Sequence, residues 1–373
     1  MTREPRTFGV EEEYLLLDAD TGRPSDSAAE VIHGMAELSD MADREYFRSQ
    51  LETATPICRT AEEARAALEG FRAEMAAASR ARGVEPAGSG MPPIGGEEAG
   101  TLTPKHRYRM IAERMRETAA RMYGTGTHVH VEVPSKDAGV RVLQRLARWA
   151  PALLAMTANS PVWCGEDTGF ASWRYVSFLT WPISGWPPVF ADGAEYDRAI
   201  EQLVRSGVLL DSGVVTWSAR LSEQYPTIEL RLADAQLSAG DAVVHGVLVR
   251  SLVERCLRED EQGVPVPSMA PGIVSGALWL AARDGLGGEL IDPAEPDPQP
   301  AFDLIDRMVA EAADDLDRFG DLELVESHVA RLREEGSPAR RQLDAFDSGG
   351  VDALLELYRT AWGADRLRGM TGG

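Results

Sequence analysis

Alternating apolar and polar positions predict several short β-strands in this chain. The pattern has a period of two over residues 8–17, 127–133 and 227–233, as in strands with one buried face. A further extended segment is predicted near residues 46–54, and a strand over residues 214–222 pairs with the third alternating segment around a turn. Because strands often follow one another directly, we expect an antiparallel sheet in an α+β fold.

Longer segments between these strands carry helical signals. Apolar and helix-forming residues recur at helical spacing over residues 61–81, 104–123 and 138–158, with Thr60 placed to cap the first of them. Ser238 is placed to cap another apolar helix. Residues 292–300 read as a proline-rich connection, and the region that follows is helical and acidic.

The polar face of the first strand is acidic. Glu11 and Glu13 share one face, whereas Glu12 takes the other. Two carboxylates ~7 Å apart repel one another unless a positive charge lies between them, and Mg²⁺ prefers such oxygen ligands. An acidic strand edge exposed to solvent is the structural alternative at this point.

The strand over residues 127–133 places His128, His130 and Glu132 on one face. An H-x-H pair can bind zinc, and a single neutral imidazole can serve a harder metal beside carboxylates. Histidines hydrogen-bonded inside a polar groove are the alternative without a metal.

The strand over residues 227–233 places Glu229 and Arg231 on one face. This pair is either a surface ion pair or a metal ligand beside a guanidinium that holds a phosphoryl group. Each of these three strands has one apolar and one polar face. Together they predict a sheet whose polar face is open and holds several Mg²⁺ ions and the triphosphate of ATP. Glu52 would add a carboxylate from a fourth strand.

Composition narrows the function classes. The formal net charge of −22 argues against a nucleic-acid or anionic-membrane partner. Lysine occurs only at Lys105 and Lys136, and neither lies in a P-loop, so arginines and metal would hold any nucleotide phosphates. Three cysteines without C-x-x-C spacing do not suggest a disulfide framework. With no apolar leader or membrane-length apolar stretch, we expect a cytoplasmic location.

Five runs resemble the glutamate–cysteine ligase type 2 family of carboxylate–amine ligases. They are FGVEEEY (residues 8–14), QLETATP (50–56), GTHVHV (126–131), PALLAMTANSPVWCGEDTGFASWRYVS (151–177) and TIELRLADAQ (227–236). The resemblance implies a glutamine synthetase-like funnel, a curved and mainly antiparallel sheet backed by helices. It also implies one catalytic domain over residues 1–373, with a helical C-terminal region from about residue 300.

The same resemblance implies ATP-dependent joining of a carboxylate, expected to be that of glutamate, to an amine through an acyl phosphate, releasing ADP. The expected acceptor is an amino acid such as cysteine, and the expected metal is Mg²⁺ or Mn²⁺. The metal ligands implied by the matching motifs are Glu11, Glu13, Glu52, His128 and Glu229. Glu45 is a further candidate ligand.

Three arginines receive roles from the resemblance. Arg231 falls where the family stabilises the transferring phosphoryl group, and Arg107 and Arg174 fall where arginines bind substrate carboxylates or phosphates. Cys164, Glu166 and Glu132 depart from the family pattern, which leaves the acceptor open.

Other functions stay open at this point. A γ-glutamyl ligase in specialised metabolism would use another amine. A phosphotransferase would keep a stable phosphorylated product, and a zinc hydrolase would use His128 and His130. A binding protein without catalysis would leave the repulsion on several polar strand faces uncompensated. The chain's oligomeric state, including a homodimer, is also open.

Overall fold

The computed structural model describes residues 5–369, with side chains up to residue 362. Its strands, in chain order, are β1 (Phe8–Asp18), β2 (Ala42–Arg44), β3 (Gln50–Ala54), β4 (Val84–Ala87), β5 (Gly126–Glu132), β6 (Val162–Trp163), β7 (Glu166–Asp167), β8 (Ala219–Leu221), β9 (Thr227–Asp234), β10 (Glu289–Asp292) and β11 (Glu295–Pro300).

Helices make up most of the remaining regular structure. They are α1 (Ala28–Gly34), α2 (Ala61–Arg80), α3 (His106–Met115), α4 (Glu117–Ala120), α5 (Lys136–Leu146), α6 (Ala150–Thr157), α7 (Trp173–Phe178), α8 (Gly193–Arg205), α9 (Ala239–Glu261), α10 (Pro271–Asp284), α11 (Ala301–Phe319), α12 (Leu322–Glu335) and α13 (Pro338–Gly369). Among them, no helix is both long and apolar enough to cross a membrane.

The main sheet has the order β2-β3-β1-β5-β9-β8, and β4 also pairs with β1. Each of its strand pairs is antiparallel. The α+β prediction with a mainly antiparallel sheet is therefore confirmed. The long strand β1 lies near the middle of the sheet, so its polar face is flanked by strands on both sides.

Helices cover one face of this sheet. The valines of β5 and the apolar residues of β9 are buried in the same core as α9. Gly246 of α9 permits a close approach to β1, because a Cβ there would lie 3.1 Å from Val10 and 3.2 Å from Phe8. The apolar side of the sheet is thus sealed, and the polar side is left for a site.

Glu12 belongs to the sealed side, as strand alternation predicts. Its carboxylate lies against the guanidinium of Arg72 from α2, and both side chains are 1% exposed. Arg72 also donates hydrogen bonds to the backbone carbonyls of Gln236 and Leu237. This buried pair ties β1 to α2 and to the segment that precedes α9.

Two predicted helices are each divided in the structure. The helix expected over residues 104–123 begins at His106, leaves Pro104 outside, and breaks at Arg116, whose φ is 52°. The helix expected over residues 138–158 becomes α5 and α6, and Pro151 lies in the first turn of α6.

Three expected segments also change. Residues 292–300 are not a simple connection, because β11 pairs with β10. Regular strand structure begins at Gln50 rather than near residue 46, and at Ala219 rather than at residue 214. The expected helix over residues 61–81 is confirmed, with a capping box between Thr60 and Glu63.

Candidate functional site

Cross-strand register brings the polar residues of four strands onto one face. Glu13 of β1 pairs with Glu52 of β3, and Glu11 of β1 pairs with His128 of β5. His130 of β5 pairs in turn with Glu229 of β9. Residues directly opposite each other in an antiparallel pair project to the same face, so these side chains converge although they are far apart in the sequence.

The converging side chains form two groups that are able to hold a metal ion. One group is Glu11, His130 and Glu229, and the other is Glu13, Glu45 and Glu52. Within each group, the candidate ligand atoms all lie within 4.8 Å of one another. We call the two groups, together with His128, the acidic cup.

His128 lies between the two groups. Its Nδ1 is 3.4 Å from Glu11 Oε2 and 3.9 Å from Glu229 Oε1, and its Nε2 is 3.9 Å from Glu13 Oε1. The structure therefore brings together all five residues that the resemblance implies as ligands. It also places Glu45, the further candidate ligand, beside Glu13 and Glu52, and it adds His130, which the resemblance did not include.

In the group of three glutamates, burial and mutual repulsion outweigh the compensation that Glu45 receives from Lys105 and Tyr108. Burial, together with the nearby charges of Glu45 and Glu13, raises the pKa of Glu52 from 4.5 to about 9. Burial and the charge of Glu13 raise the pKa of Glu45 to about 7. Carboxylates that repel one another in a buried place are suited to a divalent cation, which would favour their ionised forms.

In the other group, which comprises Glu11, His130 and Glu229, nearby arginines and histidines offset the negative charge of the two carboxylates. Burial raises the pKa of Glu229, but the charges of Arg231 and Arg220 outweigh it and hold that pKa well below its usual range. Burial likewise opposes ionisation of Glu11, but hydrogen bonds from His128 and His130 lower its pKa below the usual range. Both carboxylates are therefore ionised at neutral pH.

The histidines have the chemistry of metal ligands. Burial and the charge of Arg231 lower the pKa of His128, so its imidazole is neutral at neutral pH, as coordination requires. The Nε2 atom of His128 is buried and hydrogen-bonds to no residue that the structure describes, whereas His130 Nε2 lies 3.1 Å from Glu11 Oε1. Because a buried polar atom without a partner is unfavourable, His128 Nε2 fits a site that is completed by a metal ion.

Two arginines stand at the edge of the acidic cup. Arg231 contacts Glu229 within β9, and Arg220 of β8 lies opposite Glu229 with its Nε 2.6 Å from Glu229 Oε2. Arg220 was missed from the sequence, although it alternates with the apolar residues Ala219 and Leu221. Two guanidiniums beside one carboxylate supply positive charge for an anionic ligand.

A cavity of about 910 Å³ opens from the acidic cup, and we call it the main cavity. Its lining includes Glu11, Glu52, His130, Arg220 and Glu229 from the sheet. Helix α8 and the loops before β8 and β9 contribute further lining residues. The volume lies within the usual range for small-molecule sites, ~300–1,000 Å³.

The two remaining predicted arginines lie in different places. Arg107 lines the main cavity, where its Nη2 is 2.7 Å from Asp211 Oδ1. Arg174 is 5% exposed and lies outside that lining, in a small pocket that it shares with Arg231. Its guanidinium is 3.4 Å from the backbone carbonyl of Arg231, and Gly126 leaves room for it, since a Cβ there would lie 2.3 Å from Arg174 Nη2.

The three residues that depart from the family pattern lie outside the lining of the main cavity. Cys164 is exposed and adopts a φ of 54° in the tight turn between β6 and β7, and Glu166 is exposed in β7. Glu132 is exposed at the end of β5 and accepts a hydrogen bond from Thr7.

Solved structures share this fold. A glutamate–cysteine ligase from Francisella tularensis in complex with AMP superimposes with a TM-score of 0.68 at 13% identity, covering 98% of this chain and 90% of that one. A bifunctional glutathione synthetase from Pasteurella multocida gives a TM-score of 0.67 at 13% identity, covering 97% of this chain and 53% of that one. The glutamine synthetase-like fold that the family resemblance implied is confirmed.

Sequence relatives agree with the fold. A protein of Salinispora tropica, provisionally named glutamate–cysteine ligase 2, is 37% identical over 356 residues, which cover 95% of this chain and 94% of the relative. A protein of Saccharopolyspora erythraea, provisionally named glutamate–cysteine ligase 2-2, is 38% identical over 370 residues, covering 97% and 94%. The model of glutamate–cysteine ligase family 2 matches residues 7–357. The chain therefore belongs to glutamate–cysteine ligase family 2.

Proposed function

We propose that the protein is an ATP-dependent, ADP-forming carboxylate–amine ligase that makes an amide, with the γ-carboxylate of glutamate as donor. Family membership supports the reaction class. The observation that carries the proposal is the acidic cup itself. Carboxylates and imidazoles from separate strands converge beside Arg231 and Arg220, at the mouth of a cavity large enough for a nucleotide and a small substrate.

The proposed reaction proceeds in two steps. A carboxylate oxygen of the donor attacks the γ-phosphorus of ATP, the bond to the bridging oxygen breaks, and ADP leaves. The amine nitrogen then attacks the acyl carbon, loses a proton, and expels inorganic phosphate. Such chemistry depends on positioning and charge neutralisation rather than on a protein nucleophile.

The chain's own residues would divide these tasks. The two groups of the acidic cup would hold Mg²⁺ or Mn²⁺, which when bound would neutralise negative charge on the phosphate oxygens. Arg231, fixed by Glu229, would contact the transferring phosphoryl group. Arg107 would release Asp211 and contact a substrate carboxylate or phosphate at the wall of the main cavity.

Arg174 receives a different role from its position. Because it is buried behind Arg231 and contacts the backbone carbonyl of that residue, it would position Arg231 rather than bind substrate in the main cavity. Direct contact with substrate would require an entry through the small pocket that both arginines line.

A product analysis tests the proposal. The protein is incubated with ATP, Mg²⁺, glutamate and a pool of amino acids and simple amines, and the mixture is analysed by mass spectrometry. The expected product has the mass of glutamate plus one amine minus water, and it forms with an equal amount of ADP and phosphate. ADP released with a stable phosphorylated compound and no amide would identify a phosphotransferase instead.

The same experiment identifies the acceptor. If cysteine is omitted and the yield of amide is unchanged, the acceptor is another amine, as in the alternative γ-glutamyl ligase. A single catalytic domain over residues 1–373, a cytoplasmic location and the oligomeric state stay predictions.

A further inference from the structure

A second cavity, of about 240 Å³, lies in the helical layer and not in the acidic cup. We call it the rear cavity. Its walls come from α2, from the start of α9, and from α12 and α13, and it shares no lining residue with the main cavity. The proposed ligase reaction therefore gives it no role.

Arginines are concentrated in the lining of the rear cavity. Three arginines line it, Arg65 of α2, Arg331 of α12 and Arg341 of α13; among the described lining residues one is acidic, Glu335, which lies 4.0 Å from Arg331. The whole chain has a formal net charge of −22. A concentration of guanidiniums in such an acidic protein would attract an anion to this place.

The arginines differ in how they are held. Arg331 pairs with the buried carboxylate of Asp241, and Arg65 lies 3.6 Å from Glu69. Arg341 is partly buried and forms no ion pair with any residue that the structure describes. Two guanidiniums are thus oriented by carboxylates, while the third has its charge available for a ligand.

A buried histidine adds a donor. His328 lines the rear cavity and is 7% exposed. Arg331 Nη2 lies 2.8 Å from His328 Nδ1, and burial lowers the pKa of this imidazole to about 4, so Nδ1 accepts and the proton is on Nε2. No described residue hydrogen-bonds to that Nε2–H, which leaves it as a donor for a ligand.

The start of α9 contributes a third kind of attraction for an anion. Ser238 caps this 23-residue helix, and Gly240 in its first turn lines the rear cavity. Arg65 lies against the same turn, since a Cβ on Gly240 would be 3.4 Å from Arg65 Nη1. The dipole at such an end favours an anion, and the buried carboxylate of Asp241 in the same turn takes up part of this attraction.

We propose that the rear cavity binds a phosphate group, either as inorganic phosphate or as part of a phosphomonoester. Planar guanidinium forks, an imidazole N–H and a helix N-terminus are the donors that phosphoryl oxygens accept. Arg341 supplies the unpaired charge, and Arg65, Arg331 and His328 complete the site. The proposal is independent of the ligase reaction.

The test is a binding titration of the full chain with inorganic phosphate and, separately, with glycerol 3-phosphate. Isothermal titration calorimetry is done at constant ionic strength with EDTA and without nucleotide, so that a metal-dependent site does not contribute. The wild-type protein is expected to bind one equivalent. Arg341→Ala is expected to weaken binding at least about tenfold, because a hydrogen bond between charged groups is lost.

Matched variants separate the two cavities. Arg340→Ala removes the same charge from the neighbouring position, which pairs with Asp344 and does not line the rear cavity, and it should bind phosphate like the wild type. Arg231→Ala removes the guanidinium of the acidic cup and should also leave the affinity unchanged. Arg341→Lys keeps the positive charge without the planar guanidinium and should bind phosphate with intermediate affinity. Binding by this variant would show that the site is still folded when Arg341 is replaced.

The two ligands distinguish the sources of the phosphate group. Tighter binding of glycerol 3-phosphate would point to a phosphomonoester, and equal binding to the phosphate ion. No binding by the wild type, equal affinity in Arg341→Ala and wild type, or loss of binding in Arg231→Ala alone would overturn the proposal.

Discussion

The guanidinium of Arg72 holds the carboxylate of Glu12 on the helix-covered face of β1, with Arg72 Nε 3.0 Å from Glu12 Oε2. This contact fixes which way the strand faces. Because side chains alternate along a strand, anchoring Glu12 on one side directs Glu11 and Glu13 to the other. One buried ion pair thus orients two residues of the acidic cup without touching a substrate.

Breaking that pair should destabilise the fold. Arg72→Met leaves the carboxylate of Glu12 buried without its cation, so we expect a loss of about 3–5 kcal/mol in the free energy of unfolding. Urea denaturation followed by circular dichroism measures it. The double variant Arg72→Met/Glu12→Gln should recover part of the loss. An unchanged denaturation midpoint in Arg72→Met would contradict the stabilising role of the Arg72–Glu12 pair.

The acidic cup should make stability depend on pH when no metal is bound. The folded-state pKa values of Glu45 and Glu52, about 7 and about 9, lie above the ordinary 4.5. The folded protein then binds more protons than the unfolded chain between pH 4.5 and 9, so this contribution is complete below pH 4.5 and is lost as the pH rises through 7 to 9.

Denaturation midpoints in EDTA at pH 6 and pH 9 test this dependence. The wild type should be less stable at the higher pH, and Glu45→Gln/Glu52→Gln should flatten the difference. Added Mg²⁺ should raise the midpoint more at pH 9 than at pH 6, because metal ligands must be deprotonated. An equal effect of Mg²⁺ at both pH values would argue against these glutamates as ligands.

Charge-removing substitutions in the acidic cup should abolish catalysis while the fold stays intact. Glu13→Gln and Glu229→Gln should each lower amide formation more than about 100-fold, since even partners outside a metal's ligand shell cost about 10–100-fold. The control is Glu132→Gln. It is the same exchange at the end of β5, on the strand face that carries His128 and His130, but it lies outside the main cavity. Normal turnover in either cup variant would refute the assignment.

Arg231→Ala separates binding from catalysis. In the wild type, the contact between the Arg231 guanidinium and the phosphoryl group is expected to strengthen as negative charge develops on that group. Without it, kcat should fall about 10²–10³-fold, with a smaller rise in the KM for ATP. Steady-state kinetics with ATP as the varied substrate measure both. A raised KM with unchanged kcat would make Arg231 a ground-state nucleotide contact.

The sequence predicted the faces of the strands better than their register. Alternation alone separates Glu12 from Glu11 and Glu13, and the structure agrees. It does not say which residue of the next strand lies opposite. The β5–β9 ladder shifts between Thr127 and Val129, so the pairing of His130 with Glu229 follows from an irregularity that has no clear signal in the sequence.

Other differences have local physical reasons. Prolines at alternate positions of residues 295–300 suggested a connection, yet β11 pairs with β10 in a two-stranded sheet, and an edge strand tolerates proline. The helix breaks at Arg116, which lies among good helix formers. Helix propensity therefore does not predict the positive φ of this residue. Arg220 lies in the strand expected over residues 214–222, but only the pairing of β8 with β9 places it opposite Glu229.

The central claim is that carboxylates and imidazoles from separate strands bind divalent metal together. Isothermal titration of the metal-free protein with Mn²⁺ in the presence of a non-hydrolysable ATP analogue tests it most directly. We predict saturable binding to the wild type and to Glu132→Gln, with loss of at least one equivalent in Glu13→Gln and in Glu229→Gln. Identical isotherms for all four proteins, or no binding to the wild type, would contradict the claim.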